Sequence, residues 1–218
     1  ERVEAGRETR TYLHDPLARM FNQVVSGTTT RFAYDGMKLA TEYSGSSGTT
    51  IAARHVPGLW MDDIALSYSG SGTSTPNWPL IDERGSVIAL TDGSGAVTSI
   101  NAYDEYGTPA SGNAGRFQYT GQVWLPNANL YDYKLRAYGA GVGRFAQTDP
   151  MGYIAGANLY GYVSGDPLNV IDPFGLEGTG VPGVDVVGRR RSRTSTVISP
   201  GLLTFGDVTG TVEDVDGY

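Results

Sequence analysis

Two Asp-Pro-x-Gly tetrapeptides constrain this chain more than any other feature: Asp149-Pro150-Met151-Gly152 and Asp172-Pro173-Phe174-Gly175. They close a stretch of Tyr, Gly and Asn that runs from Asn129 to Leu176. Pro fixes φ just after an Asp able to hydrogen-bond its own backbone, and Gly supplies the φ > 0 position, so each unit is a turn-former. The chain therefore sets a carboxylate at a rigid corner twice.

The composition argues against long helices. The 218 residues include 31 Gly, about twice the usual share, and 14 Tyr against 6 Phe. Abundant Gly, Tyr and Thr predict short strands joined by tight turns, an all-β fold with length enough for a real core. With no Cys, disulfides, a thiolate nucleophile and a Cys-ligated zinc site are excluded. The two histidines, His14 and His55, lie far upstream of the Asp-Pro units, which leaves no Ser-His or multi-His site for the C-terminal half. The sequence predicts no cofactor and no metal. A net charge of -7 argues against nucleic acid as a partner of the core. No apolar run is long enough to predict a transmembrane segment. Glu1 begins neither a signal peptide nor an initiator sequence, so a piece of a longer polypeptide is expected.

Along the chain a theme recurs. TYLHDPLARM and, about twenty residues on, RFAYDGMKLATEY each carry an aromatic shortly before an Asp. A turn residue follows, and then a basic residue next to an apolar one, Arg19-Met20 and Lys38-Leu39. This reads as strand, turn and returning strand, repeated. Val87–Leu90 and Ala96–Ile100 flank Asp92-Gly93-Ser94-Gly95, a hairpin signal suited to a two-residue turn. Asn101 to Gly107 restates the Tyr-Asp theme. The Ser/Gly/Thr runs between Tyr43 and Pro76 read as polar excursions from a scaffold.

As an ordered set, these residues resemble the bacterial Rhs (rearrangement hotspot) and related YD-repeat proteins. That group includes the C-component of insecticidal toxin complexes and, more distantly, the teneurins. From Pro79 to Leu176 the sequence is similar to the Rhs repeat-associated core domain, through IDERGSVIALTDGSGAVTSINAYDEYGTP, GRFQYTGQ, LYDYKLRAYGAGVGRFAQTDPMG and NLYGYVSGDPLNVIDPFGL. Asp132 and Lys134 depart from the family, standing where an aromatic and an Arg-like residue are usual.

The resemblance implies a YD-repeat β-hairpin spiral, a fragment of a hollow shell, closed by the core domain. The domains would be 1–78 (shell repeats), 79–176 (core) and 177–218 (variable tail). It further implies an aspartic autoprotease acting once in cis, with Asp149 and Asp172 as the carboxyl pair, Arg136 as their partner and Leu176-Glu177 as the bond cut. The implied partners are the C-terminal tail as cargo, a secretion-system spike or toxin-complex components, and an immunity protein. The implied location is secreted or at the bacterial cell surface.

The chemistry is consistent with that inventory. Without Cys, Ser-His or metal, hydrolysis of a peptide bond calls for one carboxylate to activate water and a carboxylic acid to protonate the leaving amine. Tethering gives a high effective concentration of the bond, so modest catalysis suffices for one turnover. Arg144 and Asp166 read as structural, the latter as a turn residue. Two other readings stand beside this one. In the first, a non-catalytic shell or surface scaffold, the Asp-Pro turns only plug the end. In the second, a carbohydrate-binding module uses Trp60, Trp78 and Trp124. In the tail, Arg189 to Arg193 form a basic cluster, and 197–198 and 202–205 predict one or two strands; no nuclease or transferase site is visible there.

Overall fold

A computed structural model of the protein describes residues 10–45, 48–154, 156–176 and 178–180. The basic cluster and the strands expected in the tail lie outside these residues. The described part is antiparallel β throughout, with four short 3-10 turns and no α-helix. Nine strands form one open sheet in sequence order: β1 Arg10–His14, β2 Met20–Val25, β3 Thr28–Asp35, β4 Lys38–Ser44, β5 Thr50–Pro57, β6 Ile64–Ser69, β7 Pro76–Ile81, β8 Val87–Thr91 and β9 Val97–Ile100. The sheet is not closed into a barrel. Residues 43–76 do not leave the scaffold as the polar runs suggested. They supply β5 and β6, and the Ser/Gly/Thr runs only join neighbouring strands. Trp78, at the boundary expected between shell and core, sits inside β7, which pairs with β6 and β8 on its two sides.

One five-residue turn closes several of these hairpins. At Asp15, Asp82, Asp92 and Asp104 the backbone carbonyl accepts the N–H three residues on. The Oδ1 atom of each also accepts the N–H groups two and four residues on, at 2.7–3.0 Å. The residue three positions on takes positive φ, Ala18 in the first turn and Gly in the others. The Asp92 hairpin therefore turns over residues 92–96 rather than through two residues, because the carboxylate ties down both Ser94 and Ala96.

Successive hairpins interlock through the residues that repeat. Arg19 donates to Gly36 O at 2.8 Å and stacks over Tyr34, whose hydroxyl donates to Met20 O. Met20 and Leu39, the apolar residues after each basic one, are buried with Phe32, Ile64, Val87, Phe117 and Leu125 beneath the sheet. A loop from further along the sequence joins this core through Arg116, whose guanidinium holds the buried Glu42 of β4.

After residue 100 a second sheet forms from β10 Val123–Leu125, β11 Leu130–Asp132, β12 Ala137–Gly139 and β13 Arg144–Phe145. A two-stranded ladder of β14 Val170–Ile171 and β15 Thr179–Gly180 follows. Tyr119, Tyr131, Tyr133, Tyr138, Phe145 and Tyr162 are buried together. The preference for Tyr over Phe has a cause here. The hydroxyls of Tyr119, Tyr138 and Tyr131 donate to the carbonyls of Glu105, Tyr106 and Gly107, at 2.9, 2.8 and 2.9 Å. Three rings thus fill the core and hold the Asp104 turn with their polar ends, contacts that Phe could not make and that leave the buried Gly107 carbonyl satisfied.

Candidate active site

Arg136 follows the turn between β11 and β12 and is 3% exposed. Its Nη2 lies 3.0 Å from Asp149 Oδ2 and 3.5 Å from Asp172 Oδ2, so the separation of the two carboxylate oxygens cannot exceed the sum of those lengths. Nη1 donates to Leu159 O at 3.3 Å, and that carbonyl also accepts the Asp149 N–H at 2.9 Å. Nε donates to Gly175 O. The guanidinium carbon stands 3.7 Å from the centroid of the Phe145 ring, a cation–π contact that gives the charge an apolar floor. Both aspartates are buried, Asp149 at 8% and Asp172 at 2% exposure.

The turn chemistry sets which oxygen faces the arginine. Asp149 Oδ1 accepts the Met151 N–H at 2.8 Å, and Asp172 Oδ1 accepts the Leu176 N–H at 2.9 Å. In each case the second oxygen is the one that pairs with Arg136. The same local device that shapes the hairpins here aims two carboxylates at one cation. Gly175, at φ +67°, is required: a Cβ there would lie 3.0 Å from Tyr133 O and 3.3 Å from the Arg136 backbone. Burial pushes the Asp172 carboxyl up to about 6, while the Leu176 N–H and the Arg136 charge pull it back. Burial likewise lowers the Arg136 guanidinium, against the opposing charges of Asp149 and Asp172.

The three residues singled out from the sequence thus come together, beside Leu176. Glu177 lies outside the described residues, and the backbone is seen again at β15, paired with β14. Two partners were not foreseen. Lys134 Nζ donates to Pro173 O at 2.6 Å, to Asp62 Oδ1 at 2.6 Å and to Gln122 Oε1 at 3.1 Å, so it clamps the second Asp-Pro turn onto the segment between β5 and β6. The departure from the family at Lys134 was the one signal for this clamp; Asp62 had none, being 72 positions away. Asp132, the other departure, accepts the Lys134 N–H at 2.9 Å, and its carboxyl is pushed up by burial.

Arg144 is exposed in β13, and Asp166 closes a turn through Val170 N–H and the Asn169 side-chain amide. Trp60 and Trp78 are exposed, whereas Trp124 packs at 4.6 Å against Tyr131. Among the described residues no helix is long and apolar enough to cross a membrane, and no acidic or histidine groups gather as a metal would need.

No protein-family model matches the sequence. Over 175 residues it is 27% identical to the tRNA3(Ser)-specific nuclease WapA of Bacillus spizizenii, which covers 76% of this chain and 7% of that protein. Over 93 residues it is 34% identical to toxin subunit YenC2 of Yersinia entomophaga, covering 39% and 10%. The crystal structure of TcdB2-TccC3 superposes with a TM-score of 0.63 at 23% identity, over 81% of this chain and 10% of that one. The protein is a relative of the Rhs and toxin-complex C-component proteins. This Rhs-type chain spans a tenth or less of the length of each of these relatives, and the superposition shows the fold they share.

Proposed function

We propose that this Rhs-type protein is the closing core of a toxin shell and that it cuts itself once, at Leu176-Glu177. The core would be residues 79–176, with the segment from 177 as its cargo. The observation that supports this reading is the single buried guanidinium between Asp149 and Asp172, in contact with the turn that leads to Leu176. Asp149, in the closer ion pair, takes a proton from water as the water oxygen adds to the Leu176 carbonyl carbon. Asp172, which holds a proton up to about pH 6, gives it to the nitrogen of residue 177 as the C–N bond breaks. Arg136 keeps the two groups apart in role and, through Gly175 O, anchors the backbone just before the bond. A water-poor site strengthens each of these contacts.

Secretion or surface display, an immunity protein, and assembly with a spike or with toxin-complex components belong to the same reading. The test is to produce the full-length protein and measure its intact mass. A cut at Leu176-Glu177 in the wild type that is absent in Asp149→Asn and Asp172→Asn is expected. A single uncut species in a folded wild-type protein overturns the autoprotease. One observation favours a passive plug instead: the Oδ1 contacts of both aspartates repeat those of the ordinary hairpin turns at Asp82 and Asp104. That uncut outcome would leave the scaffold reading standing.

A further inference from the structure

A second buried polar cluster, in the nine-stranded sheet, has no part in the chemistry above. Glu42 on β4, His55 on β5 and Ser67 on β6 form a row across three neighbouring strands. His55 is register-paired with Ser67, and Glu42 is paired with Ala53, two residues from His55 and so on the same face. His55 Nδ1 lies 2.8 Å from Ser67 Oγ, and His55 Nε2 lies 3.0 Å from Glu42 Oε1. Glu42 and His55 are 4% and 6% exposed, while Ser67 lines a cavity of about 330 Å³. Arg116 donates to both oxygens of Glu42, and the His55 ring meets Phe117 edge-on at 4.8 Å.

The proton positions follow from these contacts. Burial works against the Glu42 carboxylate, but hydrogen bonds from His55 and Arg116 outweigh it and hold the group at about 2, so it is ionised and only accepts. The ring nitrogen that faces this accepting carboxylate, His55 Nε2, is therefore the one that bears a proton, and in that tautomer Nδ1 presents its lone pair to Ser67. Ser67 Oγ–H donates to that lone pair. This is the tautomer in which an imidazole can take a serine proton.

We propose that Ser67, His55 and Glu42 form a second reactive centre, a serine nucleophile with its base and orienting carboxylate, which accepts acyl groups from small carboxylic esters bound in the cavity. Ser67 Oγ bonds to the ester carbonyl carbon as its proton passes to His55 Nδ1. The C–O bond to the alcohol then breaks, and the imidazolium returns the proton to the departing alkoxide. Water repeats the sequence on the acyl-serine and yields the free acid and the original hydroxyl. Ile64, Val87, Leu90 and Phe117 give the cavity an apolar lining, fitting an acyl group, and its volume suits a small ligand. Asn77, register-paired with Ser67 and lining the same cavity, is the residue placed to donate to the oxyanion. Arg116 shares the Glu42 charge that would steady the imidazolium, so acylation and deacylation are both expected to be slow.

The test is labelling of the purified protein with a fluorophosphonate, followed by peptide mapping and intact mass. One adduct on Ser67 is expected, absent in Ser67→Ala, with labelling slowed about 100-fold in His55→Gln and in Asn77→Ala. Ser67 is only half-buried, so Ser67→Ala keeps the fold, which near-UV circular dichroism checks. An unlabelled wild type, or labelling that persists in folded Ser67→Ala, overturns the proposal. Imidazole ¹⁵N shifts give a second measurement that needs no variant. Protonation of His55 at Nε2 is required, and a proton on Nδ1 instead would equally overturn the assignment. In Glu42→Gln the tautomer is expected to flip, a signature that loss of packing alone would not produce.

Discussion

At the scale of single residues, the raised Asp172 carboxyl gives the site a pH dependence of definite sign. Its folded value of about 6 stands above the ordinary 3.8, so between these values the folded protein holds a proton that the unfolded polypeptide releases. The corresponding stability is full below about pH 4 and is lost as pH rises through about 6, by about 3 kcal/mol in all. Asp172→Asn lacks this slope. Urea unfolding of the two proteins at pH 4.5 and pH 8 is expected to show the variant gaining on the wild type at the higher pH by about 2 kcal/mol, part of the total being already lost at pH 4.5. The proposed cleavage should follow the same group, slowing about tenfold per pH unit above 6 as the acid form disappears. A time course of intact mass at pH 5.5 and 8 checks it, and a rate that rises with pH would remove Asp172 as the acid. Asp149, Asp172 and Arg136 were legible in the sequence because turn chemistry is local and the family pattern is ordered. Asp62 and Lys134 meet through strand placement, which no local pattern encodes.

At the scale of the element, the Asp turn separates building from chemistry. Asn keeps an Oδ1 acceptor and tolerates the same turn, so Asp149→Asn should retain the fold while removing the charge that faces Arg136. Asp82→Ala does the reverse. It deletes the contacts to Arg84 N–H and Ser86 N–H in an ordinary hairpin and is expected to cost about 1 kcal/mol in urea unfolding, with the proposed cleavage kept. If Asp149→Asn proves as destabilising as Asp82→Ala and still cuts, the division of labour drawn here is wrong. Hairpins at 10–25 and 28–44 were readable from the Tyr-Asp repeats. The strands β5 and β6 were not, because Ser, Gly and Thr around Ile51–Val56 and Ile64–Tyr68 mask a short alternation that the sheet completes. The row from Glu42 to Ser67 depends on that pairing and was invisible for the same reason.

For the whole molecule, the bond between Arg116 and Glu42 ties the segment after β9 to the fourth strand of the sheet across 74 positions. Arg116→Ala would leave a buried carboxylate without its cation, a loss of about 3 kcal/mol. Chemical denaturation is expected to show it as a lower midpoint with an unchanged slope, and a drop under about 1 kcal/mol would mean that His55 alone satisfies Glu42. The all-β architecture itself followed from composition and repeats, whereas the way two cores share one polypeptide needed contacts of this range. The ladder of β14 and β15 has its own consequence. Thr179 and Gly180 lie beyond the bond proposed to break, yet they pair with Val170 and Ile171 before it. Hydrolysis would then nick the polypeptide without parting it: both pieces should elute as one peak in gel filtration under native buffer and separate in urea. Delivery of the cargo would wait on an unzipping step, giving the assembly a latch separate from its blade.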